Sequence, residues 1–253
     1  NGTIWPEPRY PIPGIAVSPK TEQRYCDAGT AVQNRPEYSG LLSDVIFIRL
    51  NAMKIAIVGG GNMGMCLAGV ISRLNHYEVS LYASRPEEFD NKIKIVDDDL
   101  GMVYQSGNFT TTDNLKCALK NAKVIYCTYP AFLREDFIKK AEALIQPGTF
   151  LGFIPAYGGA EFFCDDLIRK GVIIFGLQKP PYVCRTKERG RVAGLLSKKN
   201  KLFEAAIPHN KSKEVASLLE DMLQIKTEIL PNYMNVTLLP GNPLLHTSGS
   251  YYY

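Results

Sequence analysis

The chain has 253 residues, of which 45% are apolar and 21% charged, so it can bury a sizeable core, and this excludes disordered and fibrous classes. Its 29 basic and 25 acidic residues give a net charge of +4 and are spread along the chain, which argues against nucleic acid as a partner. No apolar run reaches the roughly 18 residues of a membrane span, and no signal peptide is recognisable. These features predict a soluble, cytoplasmic protein without a membrane partner.

The first 52 residues differ in character from the rest. They contain six of the sixteen prolines and show neither helical nor strand periodicity over most of their length. We expect an irregular leader that is non-native or disordered, and a folded unit that begins at Met53.

From Met53 onward, strand-like and helix-like stretches alternate, as in a parallel sheet with crossover helices. Apolar runs and helical spacing predict strands at 54–58, 78–82, 124–127, 150–154, 172–175, 191–196, 202–206 and 226–229. Helices are predicted at 63–74, 114–120, 130–145, 161–170 and 212–224. The pattern predicts an α/β fold, a Rossmann-type doubly wound and mostly parallel sheet over 53–230. The start of a truncated helical domain is expected at 231–253.

A glycine-rich turn, Gly59-Gly60-Gly61-Asn62-Met63-Gly64, joins the first predicted strand to the first predicted helix. A phosphate reaches backbone N–H groups only where no Cβ intervenes, and a helix N-terminus adds a favourable dipole. In the G-x-G-x-x-G order the first glycine makes the turn, the second admits a pyrophosphate, and the third allows close packing of helix and strand. The strand–turn–helix context predicts that these six residues bind a nicotinamide dinucleotide.

The residues after the second strand bear on the choice of cofactor. A fold that prefers NAD usually places an acid there for the ribose 2′-hydroxyl, whereas this chain has Ser84-Arg85. A hydroxyl and a guanidinium suit a 2′-phosphate, which favours NADP. NAD stays open because Glu87 or Glu88 follows and could reach the ribose.

Two further loops are expected beside the cofactor, because they follow strands at the carboxyl edge of the sheet. The first contains Tyr129 and Pro130, and the second runs from Pro155 to Glu161. The alternative is that both are ordinary turns.

The six cysteines, at positions 26, 66, 117, 127, 164 and 184, include no C-x-x-C pair, so we predict reduced thiols and no metal site.

Hydride reduction of C=O or C=N needs a proton donor, and histidine is well suited to this near neutral pH. The chain has three histidines. His76 lies away from the carboxyl edge of the sheet, and His209 beside Pro208 precedes a helix, so both are expected at the surface. His246 follows a turn-rich segment at the end of the α/β pattern, where either catalysis or packing could explain it.

Several of these segments together resemble the octopine/nopaline (opine) dehydrogenases. They are the glycine turn, the runs Pro155–Phe162, Phe175–Gln178 and Pro231–Tyr233, and the segment Gly241-Asn242-Pro243-Leu244-Leu245-His246-Thr247. The first half of the likeness is generic to Rossmann reductases, whereas the Asn-Pro-x-x-His segment is specific. The resemblance implies condensation of an amino acid with an α-keto acid to an imine, which NAD(P)H reduces, with His246 as general acid/base.

Family members continue past this histidine into a helical domain, so we expect the chain to be a fragment that binds cofactor but turns over poorly.

Arg185, with Lys179 nearby, is a candidate for binding a substrate carboxylate, and Asn242 is a second candidate for substrate binding. Two alternatives stay open: a keto or hydroxy acid oxidoreductase similar to ketopantoate reductase or glycerol-3-phosphate dehydrogenase, and a non-catalytic dinucleotide-binding module. The oligomeric state is open, with a homodimer as one hypothesis.

Overall fold

The computed structural model describes residues 52–238 and Thr247. Its strands are β1 (Met53–Val58), β2 (Tyr77–Tyr82), β3 (Lys94–Asp97), β4 (Met102–Gln105), β5 (Thr110–Thr112), β6 (Val124–Cys127), β7 (Phe150–Phe153), β8 (Ile173–Leu177), β9 (Tyr182–Glu188), β10 (Val192–Lys198), β11 (Lys201–Ile207) and β12 (Lys226–Ile229). Its α-helices are α1 (Asn62–Ile71), α2 (Leu115–Leu119), α3 (Arg134–Ala141), α4 (Asp165–Arg169), α5 (Ser212–Leu223) and α6 (Met234–Thr237).

Eight strands form one large sheet in the order β12-β11-β8-β7-β6-β1-β2-β5. Every neighbouring pair is parallel except β8 and β11, which are antiparallel. The central strands β6, β7 and β8 are buried along their whole length because helices cover both faces of a doubly wound sheet. The predicted α/β class with a mostly parallel sheet is confirmed.

The hydrophobic core lies on both faces of this sheet. On one face, Ile55 and Ile57 of β1 join a buried cluster with α1 and α5. On the other, Ala56 and Val58 join a cluster with α3 and α4. Alternate residues of β1 therefore pack into two separate hydrophobic layers, one on each face of the sheet. This packing holds the ends of the parallel strands in fixed positions.

A second, four-stranded sheet with the order β4-β3-β10-β9 was not predicted. It packs on α1, where a Cβ added at Gly69 would lie 2.5 Å from Cδ1 of Ile95 in β3. Strands β3 and β9 were missed because they carry polar and charged residues beside few apolar ones. Strand β4 is mostly apolar but mostly exposed, so it does not follow the pattern of a buried strand. The predicted strand at 191–196 is β10, and β9 and β3 are its partners.

Two predicted helices start later than expected. Pro130 has extended backbone, a 3₁₀ turn follows at Ala131–Leu133, and α3 begins only at Arg134. Likewise a 3₁₀ turn at Ala160–Phe163 precedes the short α4, because Gly158 and Gly159 both have positive φ. The carboxyl edge of the sheet therefore carries longer loops than the sequence pattern indicates.

Cys66, Cys127, Cys164 and Cys184 are free and buried, as predicted. Cys117 is disulfide-bonded, so the prediction of reduced thiols is wrong there, since sequence spacing does not report which cysteines meet in space. None of the helices in the described part of the chain is long and apolar enough to cross a membrane.

Candidate dinucleotide-binding site

The glycine turn between β1 and α1 has the geometry of a phosphate cradle. Gly59 is buried with φ +113°, a conformation that L side chains rarely adopt. A Cβ at Gly64 would lie 1.7 Å from the carbonyl oxygen of Gly59, so only glycine lets the helix pack here. A Cβ at Gly61 would have no such neighbour within 4 Å. The turn is thus closed to a side chain at its first and third glycines and open at the second.

The start of α1 is suited to an anion. Gly61 is its N-cap, no side chain caps the helix, and its first turn holds no acidic residue. The first backbone N–H groups of a helix lack partners within the helix and point along its dipole, so they attract negative charge. Asn62 is exposed and Met63 is half-buried at this same start. The open position at Gly61 therefore gives a phosphate direct access to these N–H groups.

Ser84 and Arg85, which follow β2, are both exposed. Because β1 and β2 are parallel neighbours, this loop lies at the same edge of the sheet as the glycine turn. Nη1 of Arg85 lies 2.7 Å from Oε1 of Glu88, one of the two acids that sequence analysis left open for the ribose. The cation and this acid therefore form one ion pair and are not independent candidates.

Tyr129 and Pro130 follow β6 and adjoin the glycine turn. The neighbouring Thr128 hydroxyl donates to the carbonyl oxygen of Val58 at 2.9 Å. A Cβ at Gly59 would lie 3.1 Å from Cδ1 of Tyr129. The ring is half-buried, and burial, with smaller contributions from Tyr82 and Cys127, raises the pKa of Tyr129 to about 12. The phenol is thus a neutral donor, and Pro130 beside it is exposed.

Arg134 was not predicted as part of the site, yet its side chain organises the site. It is only 2% exposed, and its guanidinium donates to the carbonyl oxygens of Tyr129 at 3.0 Å, Pro155 at 2.7 Å and Tyr157 at 2.8 Å. Its guanidinium carbon lies 5.7 Å from the Phe153 ring centroid. The two loops at the carboxyl edge are therefore held together by one side chain.

A buried carboxylate lies close to this clamp. Glu161 is 6% exposed, and the described residues offer no hydrogen-bond partner to either of its side-chain oxygens. The buried Tyr233 hydroxyl donates to the carbonyl oxygen of Phe175 at 3.4 Å, and Glu161 is among the groups that raise its pKa, after burial itself. Thr237 accepts a hydrogen bond from the backbone N–H of Gly159 at 3.2 Å. These contacts fix residues 233–237 against the loop after β7.

A family model described as the NAD-dependent glycerol-3-phosphate dehydrogenase N-terminus matches residues 54–154. Octopine dehydrogenase from Pecten maximus is 25% identical over 171 residues, which cover 61% of this chain and 42% of that protein. An octopine dehydrogenase solved with NADH and L-arginine has a TM-score of 0.68 at 22% identity, covering 77% of this chain and 52% of that one. The chain is therefore similar to opine dehydrogenases in part of its sequence and in its fold. It spans about half the length of the curated relatives that it matches.

The likeness extends to one of the rival enzyme classes. A ketopantoate reductase from Ralstonia eutropha has a TM-score of 0.57 at 14% identity, covering 72% of this chain and 57% of that one. At this level of identity the likeness concerns the fold alone. The fold is therefore common to both classes, and it does not decide between them.

The remaining predicted residues of the opine dehydrogenase pattern are not brought together in the described part of the chain. Arg185 lies exposed on β9 and donates to the carbonyl oxygen of its neighbour Cys184 at 3.1 Å. His246 and Asn242 lie outside the described residues. His76 is at the surface, as expected, with Nε2 at 2.9 Å from Oδ2 of Asp221. Among the described residues no three His, Cys, Asp or Glu side chains form a metal-binding group.

Proposed function

We propose that this chain carries the dinucleotide-binding part of an opine dehydrogenase, an enzyme that reductively condenses an amino acid with an α-keto acid. The observation that supports the proposal is the turn with Gly59 and Gly64 closed and Gly61 open at the start of α1. Together with the sequence relatives, it favours a dinucleotide whose pyrophosphate lies on the helix N-terminus. Residues 53–230 would bind the cofactor and 231–253 would begin the substrate-binding part.

NADP is the proposed cofactor, with NAD as the alternative. The exposed Ser84 and Arg85 favour a 2′-phosphate because a guanidinium gives it paired, charge-assisted hydrogen bonds. The reduced nicotinamide supplies the hydride, and the protein orients it. Tyr129 and Pro130 would line the nicotinamide end, held there by Arg134. Comparing NADPH and NADH affinity in the wild type and in Arg85→Ala tests the assignment, and an unchanged preference refutes it.

The proposed chemistry is transfer of hydride to the carbon of an imine formed from the two substrates. His246 would give or take the proton, since an imidazole titrates near neutral pH. Arg185 and Asn242 are proposed to contact the substrates. The octopine dehydrogenase solved with NADH and L-arginine makes an amino acid the natural first amine to test.

We also propose that the protein is cytoplasmic and forms a homodimer. Light scattering tests the oligomeric state.

The deciding experiment measures NAD(P)H oxidation with an amino acid and a keto acid, together and separately. Oxidation that requires both, with a secondary amine dicarboxylate detected by mass spectrometry, supports an opine dehydrogenase. Oxidation with the keto acid alone supports the ketopantoate reductase-like alternative, which the shared fold favours. Cofactor binding without oxidation under either condition supports a non-catalytic module. Activity that survives His246→Ala removes the assigned acid/base.

A further inference from the structure

The hairpin between β9 and β10 docks its tip on the loop after β2. The backbone N–H of Asp90 donates to the carbonyl oxygen of Gly190 at 3.0 Å. Gly190 has φ +68°, and a Cβ there would lie 1.8 Å from the carbonyl oxygen of Glu88. Such an approach is open only to glycine, so the hairpin tip and the loop are fixed together. Arg189, the residue before Gly190, is thereby placed beside residues 84–90.

The carboxylate of Glu88 bridges two arginines, one in the loop after β2 and one in the turn between β9 and β10. Its Oε1 lies 2.7 Å from Nη1 of Arg85, and its Oε2 accepts a hydrogen bond from Nε of Arg189. The Arg189 guanidinium carbon also lies 5.7 Å from the ring centroid of Phe89. One carboxylate therefore holds two guanidiniums side by side.

This cluster reaches the glycine turn through Phe89. That ring is buried, and its Cζ lies 2.9 Å from the position that a Cβ at Gly60 would occupy. The Phe89 ring therefore lies between the Arg189 side chain and the glycine turn. In a dinucleotide-binding fold, the adenosine ribose is bound on this side of β2. The arginines remain partly accessible, with 59% of the Arg85 side chain and 43% of the Arg189 side chain exposed.

We propose that Arg189, which reaches over from the second sheet, shares with Arg85 the recognition of a 2′-phosphate on the adenosine ribose. The inference rests on the proposed dinucleotide site. Glu88 holds both guanidiniums in place when the ribose carries only a hydroxyl, and it competes with a 2′-phosphate for the same donors. Arg189 and Glu88 therefore help to determine the preference between NADP and NAD, in addition to the residues that directly follow β2.

The presence of two guanidiniums on one carboxylate favours this assignment over an ordinary surface ion pair. A phosphate carries more charge than a carboxylate and offers more acceptor oxygens, so it can engage two guanidiniums at once. Surface pairs contribute little to stability because solvent screens them, so removing Arg189 should cost more in ligand preference than in folding. Binding is thus the property to measure.

The experiment titrates the full chain with 2′,5′-ADP and with 5′-AMP, which differ only in the 2′-phosphate, by calorimetry. We expect Arg189→Ala to weaken 2′,5′-ADP about tenfold and to leave 5′-AMP unchanged. Lys187→Ala is the matched control, since Lys187 lies on the same hairpin, is also 43% exposed, and pairs with Asp98 instead. It removes the same charge and should leave both affinities unchanged. Glu88→Gln should strengthen 2′,5′-ADP binding.

Three results would overturn the inference: an unchanged 2′,5′-ADP affinity in folded Arg189→Ala, an equal loss in Lys187→Ala, or a wild type that does not favour 2′,5′-ADP over 5′-AMP. A wild type that binds neither nucleotide nor NADPH would remove the dinucleotide site and the proposed function with it. Failure to form a secondary amine, with 2′-phosphate selectivity intact and dependent on Arg189, would count against the proposed reaction only.

Discussion

Asn62 in the glycine turn accepts a hydrogen bond from the backbone N–H of Thr186 in β9, with 2.8 Å between Oδ1 and N. The bond joins the first residue of α1 to the second sheet, across 124 residues of sequence. Since Asn62 neighbours the open glycine Gly61, the contact fixes the turn before any ligand arrives. Preorganisation of this kind improves affinity by lowering the ordering cost of binding.

We predict that Asn62→Ala weakens NAD(P)H binding several-fold and lowers the free energy of unfolding by about 1 kcal/mol, the usual net contribution of one hydrogen bond. Fluorescence titration and urea denaturation measure the two effects. Asn62→Asp is the control, because it keeps the acceptor oxygen and adds a negative charge. It should preserve stability and weaken cofactor binding further. Wild-type affinity in Asn62→Ala would contradict a preorganising role.

Arg134→Met is expected to lower the free energy of unfolding by roughly 3 kcal/mol or more, because three partly buried carbonyl oxygens lose charge-assisted donors. Lys139→Met on the same helix, where Lys139 is exposed and pairs only with Glu135, should change stability little. Arg134→Lys should recover only part of the loss, because an ammonium cannot reproduce the planar fork of a guanidinium. Chemical denaturation compares the three variants, and equal stability of Arg134→Met and Lys139→Met would refute the clamp.

The two glycines at the ends of the G-N-M-G segment should respond oppositely to alanine. Gly61 has φ −80° and open space around a Cβ, so Gly61→Ala should fold normally but lose NAD(P)H affinity, since its methyl group occupies the path of the pyrophosphate. Gly64→Ala places a Cβ against the Gly59 carbonyl and should cost roughly 3 kcal/mol or more of stability. Thermal melting and cofactor titration separate the effects. A Gly61→Ala protein that retains wild-type affinity would argue against pyrophosphate binding at this turn.

The parts of the fold that sequence analysis predicted are those in which local pattern and burial agree. Strand β1 was predicted to within one residue because Ile55–Val58 is continuously apolar. Helix α1 was predicted to within one residue at its start, which the glycine spacing marks, and to within three at its end. The second sheet escaped prediction. Its strand β9 alternates buried and exposed residues with four charged or polar side chains. The parallel pairing of β10 with β3 joins segments almost a hundred residues apart.

The site was predicted through its glycines but not through its arginines. Arg134 stands in the run Arg134-Glu135-Asp136, which is typical of an exposed helix start, and only the fold shows that its guanidinium points inward. Arg189 likewise resembles a solvated hairpin charge until the docking of Gly190 on Glu88 is known. The signal in each case is a contact between distant segments, which a single sequence does not contain.

Glu204 of β11 is fully buried, and the described residues provide no hydrogen-bond partner for either carboxylate oxygen. Burial raises the pKa of Glu204 from 4.5 to about 8. The folded protein therefore prefers the protonated carboxyl. A raised pKa in the folded state contributes stability that is fully present below the unfolded pKa of 4.5 and is lost as the pH rises through about 8.

We predict that the free energy of unfolding falls between about pH 5 and pH 8, with a contribution from Glu204 approaching about 1.4 kcal/mol per pH unit. Glu204→Gln, which cannot ionise, should flatten this slope. Glu228→Gln on the adjacent β12 is the control, because Glu228 is exposed and paired with Lys201, and it should keep the wild-type slope. Urea denaturation at a series of pH values measures both. An identical slope in wild type and Glu204→Gln would mean that Glu204 is ionised in the folded protein and has gained a compensating charge. Such a charge would have to come from outside the described residues, because the described residues place no Lys or Arg against this carboxylate.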